Sequence, residues 1–463
     1  MSFIIVLGAL LFLMLVAYRG YSVILFAPIA SLGAVLLTDP AMVAPMFSSV
    51  FMEKMVGFVK LYFPVFLLGA VFGKVIELSG FSKSIVSSVI DLVGRQRAML
   101  AIVLVCSVLT YGGVSLFVVV FAVYPFAAEM FKQGAIPKRL IPGTIALGAF
   151  TFTMDSLPGT PQIQNIIPTT FFKTTTWAAP WLGTIGAAFI LTVGLLYLNH
   201  CRKQAAAAGE GYGTDLHNEP EAVDLKHMAH PLIAISPLVV VGVMNKVFTS
   251  WIPEFYGKSY AFQPAGSHKT ITTDISALVA IWAVEAALVI GILTVLAFAF
   301  RTVSCKFAEG SKAAVGGALL ASMNTASEYG FGAVISSMPG FLAISEALKA
   351  VPNPLINEAI SVSTLAGVTG SASGGMSIAL AAMSETFIQN ANAAGIPLEV
   401  LHRVASMASG GMDTLPHNGA VITLLAVTGL THRQSYKNIF VITMIKTAAV
   451  FVIIGAYYLT GIV

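Results

Sequence analysis

Charge is scarce in this chain. Asp, Glu, Lys and Arg make up 10% of its 463 residues, against 57% hydrophobic residues, and the mean hydropathy is +0.87. A soluble domain carries about a quarter charged residues, so this composition cannot cover a water-facing surface and points to a polytopic membrane protein. Cysteine is equally thin. Cys106, Cys201 and Cys305 stand far apart with no CxxC, so neither a disulfide framework nor a metal site is expected. No Walker-type loop, HExxH or GxSxG occurs, so ATP-driven transport and intramembrane hydrolysis lack their usual residues. An enzyme is not expected, and no cofactor is implied. The net charge of +4 leaves no footprint for nucleic acid. The apolar run Ser2 to Tyr18 lacks a basic start and a clear cleavage site before Arg19, and reads as a retained first helix.

What the chain does have is glycine, 41 residues of it, and a phrase written twice. Met154-Asp155-Ser156-Leu157-Pro158 is answered 258 residues later by Met412-Asp413-Thr414-Leu415-Pro416. Other matches keep the same order. Phe72-Gly73 pairs with Phe331-Gly332 at 259 residues, Pro137 with Pro397 at 260, and Gly112-Gly113-Val114-Ser115 with Gly374-Gly375-Met376-Ser377 at 262. Four matches in near-constant register indicate an internal duplication.

Apolar stretches from Phe3–Ala17 to Ile439–Leu459 give roughly 11–12 spans at about 20 residues per crossing. The expected organisation is a first transmembrane repeat over residues 1–198, a polar cytoplasmic linker over 199–230 and a second transmembrane repeat over 231–463. Basic residues at Arg19, Arg95–Arg97, Arg202-Lys203, Arg301–Lys312 and Arg433–Lys437 should share the cytoplasmic side. That placement gives the segments before Phe81 and before Phe341 opposite directions. The fold class expected is therefore all-α and polytopic, with two inverted-topology repeats containing re-entrant hairpins and broken helices. Such repeats are the mark of a secondary transporter with its site near the membrane midplane.

Candidate site residues follow from the repeated phrases. Gly112, Gly113 and Ser115, with Gly374, Gly375 and Ser377, would let the backbone unwind and turn amides and hydroxyls towards an anion. Close helix packing is the alternative use of paired glycines. Asp155 and Asp413 are carboxylates in apolar surroundings, candidates for ion coupling or for capping a broken helix. Thr160, Gln162, Gln164, Asn165, His417 and Asn418 follow the two Asp-x-Leu-Pro phrases and can hydrogen-bond a small polar solute. His417 suits a proton relay or a structural hydrogen bond. Glu285, Glu328 and Lys446 are further embedded candidates, ranked lower because none has a like residue in the other repeat.

Through Tyr111–Ser115, Ser373–Ser377 and Met412–Gly419 the chain resembles the gluconate permease (GntP) family over essentially its full length. The first-half phrase Met154–Pro161 is more similar to that of the D-β-hydroxybutyrate permease branch. The resemblance implies a symporter of hydroxy acids in the bacterial inner membrane, commonly coupled to protons, and a homodimer built on scaffold helices. The expected substrate is a short hydroxy monocarboxylate such as 3-hydroxybutyrate, with gluconate-type sugar acids as the alternative and an anion channel as a distant one. The residues leave the choice between H+ and Na+ open. The two halves are expected to move against each other.

Overall fold

In the computed structural model, residues 2–19, 21–94, 97–114, 116–214, 217–220, 229–266, 270–341, 351–416 and 418–463 are described. Ser115, His417 and part of the Arg95–Arg97 cluster lie outside them. The first half consists of α1 (Ser2–Tyr18), α2 (Val23–Thr38), α3 (Pro40–Leu78), α4 (Phe81–Val93), α5 (Ala98–Tyr111), α6 (Leu116–Gln133), α7 (Ile141–Ala149), α8 (Phe152–Asp155), α9 (Ile163–Phe172) and α10 (Pro180–Ala207). The second half consists of α11 (Pro231–Tyr256), α12 (Val279–Ser336), α13 (Pro354–Thr369), α14 (Ala372–Ala393), α15 (Leu398–Gly411), α16 (Gly419–Thr428) and α17 (His432–Thr460). A two-stranded hairpin, β1 (Ser259–Phe262) with β2 (Ile271–Asp274), joins α11 to α12 and pairs Ser259 with Asp274. The protein is an all-α polytopic membrane protein. Among the described residues, five helices (α3, α10, α11, α12 and α17) are long and apolar enough to cross a bilayer.

The duplication is visible in the element order. Helices α13, α14 and α16 begin 256 residues after α5, α6 and α9, and α15 begins 257 after α7. Even the corner before the long scaffold helix repeats. In the first half α2 gives way to α3 at Asp39-Pro40, while in the second α12 runs on through a kink at Ala299 (φ −131°, ψ 25°). At 14 and 18 residues, α5 and α6 rise about 21 and 27 Å at 1.5 Å per residue, short of the ~30 Å hydrocarbon core. They form a hairpin that enters and leaves by one face. Helices α13 and α14 form its counterpart.

Hydrogen bonds fix the two repeats as inverted. The start of α7 meets the start of α17 and the end of α10, through Ser435 Oγ to Arg139 O and Tyr197 Oη to Asn438 Oδ1. The start of α15 meets the end of α9 and the start of α10, through Thr174 Oγ1 with His402 Nδ1 and Arg403 Nη2 to Ala178 O. Because α10 runs between the two places, α7 and its counterpart α15 enter from opposite faces. The linker docks on the first face. Arg139 grips both carboxylate oxygens of Glu210 at 2.7 Å, Lys138 pairs with Glu219 at 2.8 Å, and Asn218 donates to Ala426 O at the end of α16. Helix α10 continues to Ala207, past the boundary expected at residue 198.

The main apolar cluster runs through both repeats, and a small second one, Ile252, Ile275, Val279 and Ala283, lies where α11 meets α12. Within the main cluster the paired glycines of the second hairpin pack rather than unwind. A Cβ at Gly375 would fall inside the backbone of Leu365 and Ala366 on α13, where no side chain can move aside. Gly375→Ala is therefore expected to cost about 1–3 kcal/mol or more, read as a lower unfolding midpoint in detergent. Gly316→Ala, with open space around it inside α12, should leave the midpoint unchanged or raise it.

Candidate functional site

Both repeats break their helices where their motifs lie. After α8 the chain is unwound from Ser156 to Gln162, and after α15 from Met412 to Pro416 and at Asn418. The hairpin tips include Gly112–Val114 in the first repeat and Gly370-Ser371 in the second. At the tips, Gly113 (φ +94°) and Gly370 (φ +65°) hold left-handed backbone that favours glycine. The counterpart of the first glycine pair is thus Thr369-Gly370, not Gly374-Gly375, which sit in the first turn of α14. Sequence matching was misled by a Gly-Gly pair that serves packing.

One cavity of about 770 Å³ touches all four breaks. Its wall includes Gly113 and Leu116 at the start of α6, Gln162 and Ile163 at the start of α9, Ser371 and Ala372 at the start of α14, and Asn418 and Gly419 at the start of α16. Four helix N-termini therefore converge on one space, and each brings partial positive charge. The cavity extends to Lys74 and Glu77, an ion pair at the linker face. Asn324, Thr325 and Glu328 of α12 line its side.

The two breaks are tied down by an equivalent pair of side chains, 256 residues apart. Gln162 precedes α9 and donates Nε2 to Thr110 O of its own hairpin at 2.7 Å. Asn418 caps α16 by accepting from Ala420 and Val421, and donates Nδ2 to Gly370 O of its hairpin at 2.7 Å. Each clamps the start of a helix to the adjacent tip.

Carbonyls released by the breaks are met by two buried cations, both from the second repeat. Arg403 on α15 is fully buried and gives Nη1 to Asp155 O (2.8 Å) and Asn165 Oδ1 (3.1 Å), and Nη2 to Ala178 O (2.7 Å). Ser406 Oγ adds a second bond to Asp155 O. The amide of Asn165 donates to Thr160 O and Thr176 O, so its Oδ1 accepts. His402 Nε2 must then donate to that oxygen, leaving Nδ1 to accept from the Thr174 hydroxyl. Lys446 on α17 bonds Asp413 Oδ1 at 2.5 Å and Phe150 O, at the end of α7, at 3.1 Å.

Of the expected site residues, Gly113, Gln162, Gln164, Asp413 and Asn418 meet in the cavity wall, together with the lower-ranked Glu328. Gly112 packs on Leu238 of α11, and Thr160 donates to Thr153 O behind the break. Gly374, Gly375 and Ser377 are buried in α14, away from the cavity wall. Asp155 is buried against Gly410, accepts from Ser156 Oγ at 2.7 Å and lies outside that wall. Ser115 and His417 are among the undescribed positions. Sequence reading passed over Arg403 and His402 altogether. Their signal was an Arg inside the apolar run from Val400 to Met412, a residue that must find partners at such depth.

Asp413 and Lys446 are mutually dependent. Removing one partner of a buried pair leaves the other uncompensated, at about 3–5 kcal/mol. Lys446→Met is expected to destabilise the protein by that amount in chemical unfolding in detergent. Lys446→Met combined with Asp413→Asn should recover most of the loss, which a double-mutant cycle would show as strong coupling.

No family model matches the chain. A curated relative, the "Uncharacterized transporter YxjC" of Bacillus subtilis (strain 168), is 60% identical over 472 aligned positions and covers all of both chains. A solved structure, the YdaH transporter of Alcanivorax borkumensis, shares 14% identity over 99% of this chain and 98% of its own, with a TM-score of 0.49. At 60% identity over its whole length, the chain belongs to the transporter family of which YxjC is a member.

Proposed function

We propose that the protein is a cation-coupled symporter of a short hydroxy monocarboxylate such as 3-hydroxybutyrate. The observation that carries this reading is the convergence of four helix N-termini on one cavity. The described charges on the cavity wall are Lys74, paired with Glu77, and the carboxylates Glu328 and Asp413. No free cation among them offers a bidentate grip, so a carboxylate would rest on helix dipoles and backbone amides. Hydroxyls and amides at Thr325, Ser371, Ser373, Gln162 and Asn418 suit the hydroxyl of such a solute. The resemblance to the gluconate permease family supports the same class. The cavity's size also admits a sugar acid such as gluconate, which stands as the second reading.

Sidedness follows from charge. Arg202, Lys203, Arg433 and Lys437 lie at helix ends on the linker face, and Gly310, within the Arg301–Lys312 segment, packs on Lys74 and Leu78 there. By the positive-inside rule that face is cytoplasmic, and the cavity reaching it represents an inward-facing state of an inner-membrane protein. The moving unit is not one repeat against the other. Arg403 and Lys446 stitch the second repeat onto the breaks of the first, and α9 packs on α14 and α15 while α16 packs on α6. The interlocked hairpins and broken helices would travel together past α3, α11 and α12. A homodimer built on those outer helices completes the proposal.

The test is uptake of labelled 3-hydroxybutyrate into proteoliposomes under an imposed proton gradient and then a sodium gradient. Accumulation under one gradient, competed by related hydroxy acids, is the expected result. Uptake of gluconate alone would move the assignment to sugar acids. Conductance without saturation would replace the symporter with a channel.

A further inference from the structure

The proposed symport needs a group that takes up the coupling ion, and the two aspartates of the repeated phrase are poorly placed for it. Asp413 is committed to Lys446, and Asp155 lies behind the cavity wall. Two other embedded carboxylates have unpartnered oxygens, Glu328 and Glu358. Glu358, on α13, is fully buried and does not reach the cavity. Glu328 does reach it. It is 3% exposed, lines the cavity, and its Oε2 has no hydrogen-bond partner.

Its position joins the scaffold to the second hairpin. Glu328 projects from α12 onto the first turn of α14, where its carboxyl faces the Ser371 hydroxyl. Its Oε2 fills the place a Cβ would take at Gly374, so glycine at that position makes room for the carboxyl. One turn away, Thr325 Oγ1 and Ser373 Oγ are 3.3 Å apart. Ser371 is the N-cap of α14 and accepts from Gly374 N. Charges on the helices packed against α12 stand off. None of Glu53, Lys54, Lys60, Lys74 and Glu77 on α3, Lys246 and Glu254 on α11, or Glu385 on α14 makes an ion pair with Glu328 among the described residues, and α2 carries no charge.

We propose that Glu328 is the proton-carrying group and that its protonation releases the tip of the α13–α14 hairpin from α12. The proposal rests on the symporter reading for its role in transport, but its chemistry is local. As a carboxylate, Glu328 is attracted to the N-terminal turn of α14 and holds the hairpin against the scaffold. A proton from water in the cavity neutralises it and removes that attraction. The neutral acid can then move through apolar surroundings that a carboxylate cannot. A sodium ion is disfavoured at the same place, because a helix N-terminus repels a cation.

The experiment uses the full chain carrying Thr325→Cys and Ser373→Cys, with Cys201 and Cys305 replaced by Ser. Disulfide formation across the pair reports hairpin docking without any substrate. Chains with Glu328, Glu328→Gln and Glu328→Asp are compared at the same pH, so thiol chemistry cancels. At alkaline pH the Glu328 chain should cross-link roughly fivefold faster than the Gln variant, and faster than the Asp variant, whose shorter carboxyl stands farther from α14; at acid pH the three should match. Equal rates at all pH values, or a constant ratio, would overturn the proposal. The Asp variant keeps the comparison if Gln does not fold. In proteoliposomes, Glu328→Gln should lose uphill uptake and keep exchange of preloaded solute; uphill uptake at the wild-type level would also overturn it. Lack of uptake by the unmodified protein would strike the proposed function alone, since the cross-link is read separately.

Discussion

A helix broken inside a bilayer exposes backbone groups that no water can satisfy, and this structure is arranged around meeting that demand four times. The carbonyls left behind by the breaks receive Arg403 and Lys446. The amides ahead of the breaks are capped by Ser371 and Asn418 or turned to the cavity. Because Arg403 and Lys446 sit in one repeat and donate to carbonyls of the other, satisfying the breaks also locks the repeats together. The same requirement that makes the site possible therefore defines the body that carries it.

The site inherits its electrostatics from that arrangement. Carbonyl ends are neutralised by cations in the protein interior, which leaves the opposite, N-terminal ends of α6, α9, α14 and α16 around the cavity. Under the proposed function, an anion entering from the linker face would meet amides and hydroxyls without a fixed counter-charge to bind it irreversibly. Weak, distributed attraction of this kind suits a solute that must be released on the other side.

Much of this architecture was legible in the sequence. The doubled Asp-x-Leu-Pro phrase located both breaks, and the basic residues at helix ends predicted inversion. Of the residues on the cavity wall, Asp413 belongs to one of those phrases, and Gln162 and Asn418 follow the two. What was missed lacks symmetry. The positions matching Arg403 and Lys446 in the first repeat are Ala146 and Gly194, so a search by repetition passes them over. Gly374-Gly375 misled for the opposite reason: it repeats the letters of Gly112-Gly113 while serving close packing, and the true tip, Gly370-Ser371, carries a single glycine. Glu328 was noticed only as part of a polar cluster, since its value depends on Gly374, 46 residues on.

The proposed transport rests on a carboxylate binding where the four N-termini meet. Its most direct test is the anomalous signal of a brominated short carboxylic acid in crystals of the protein. The account predicts a bromine peak inside the cavity between Gln162 and Asn418, lost on competition with 3-hydroxybutyrate. A peak elsewhere, with the cavity empty at saturating solute, would contradict it.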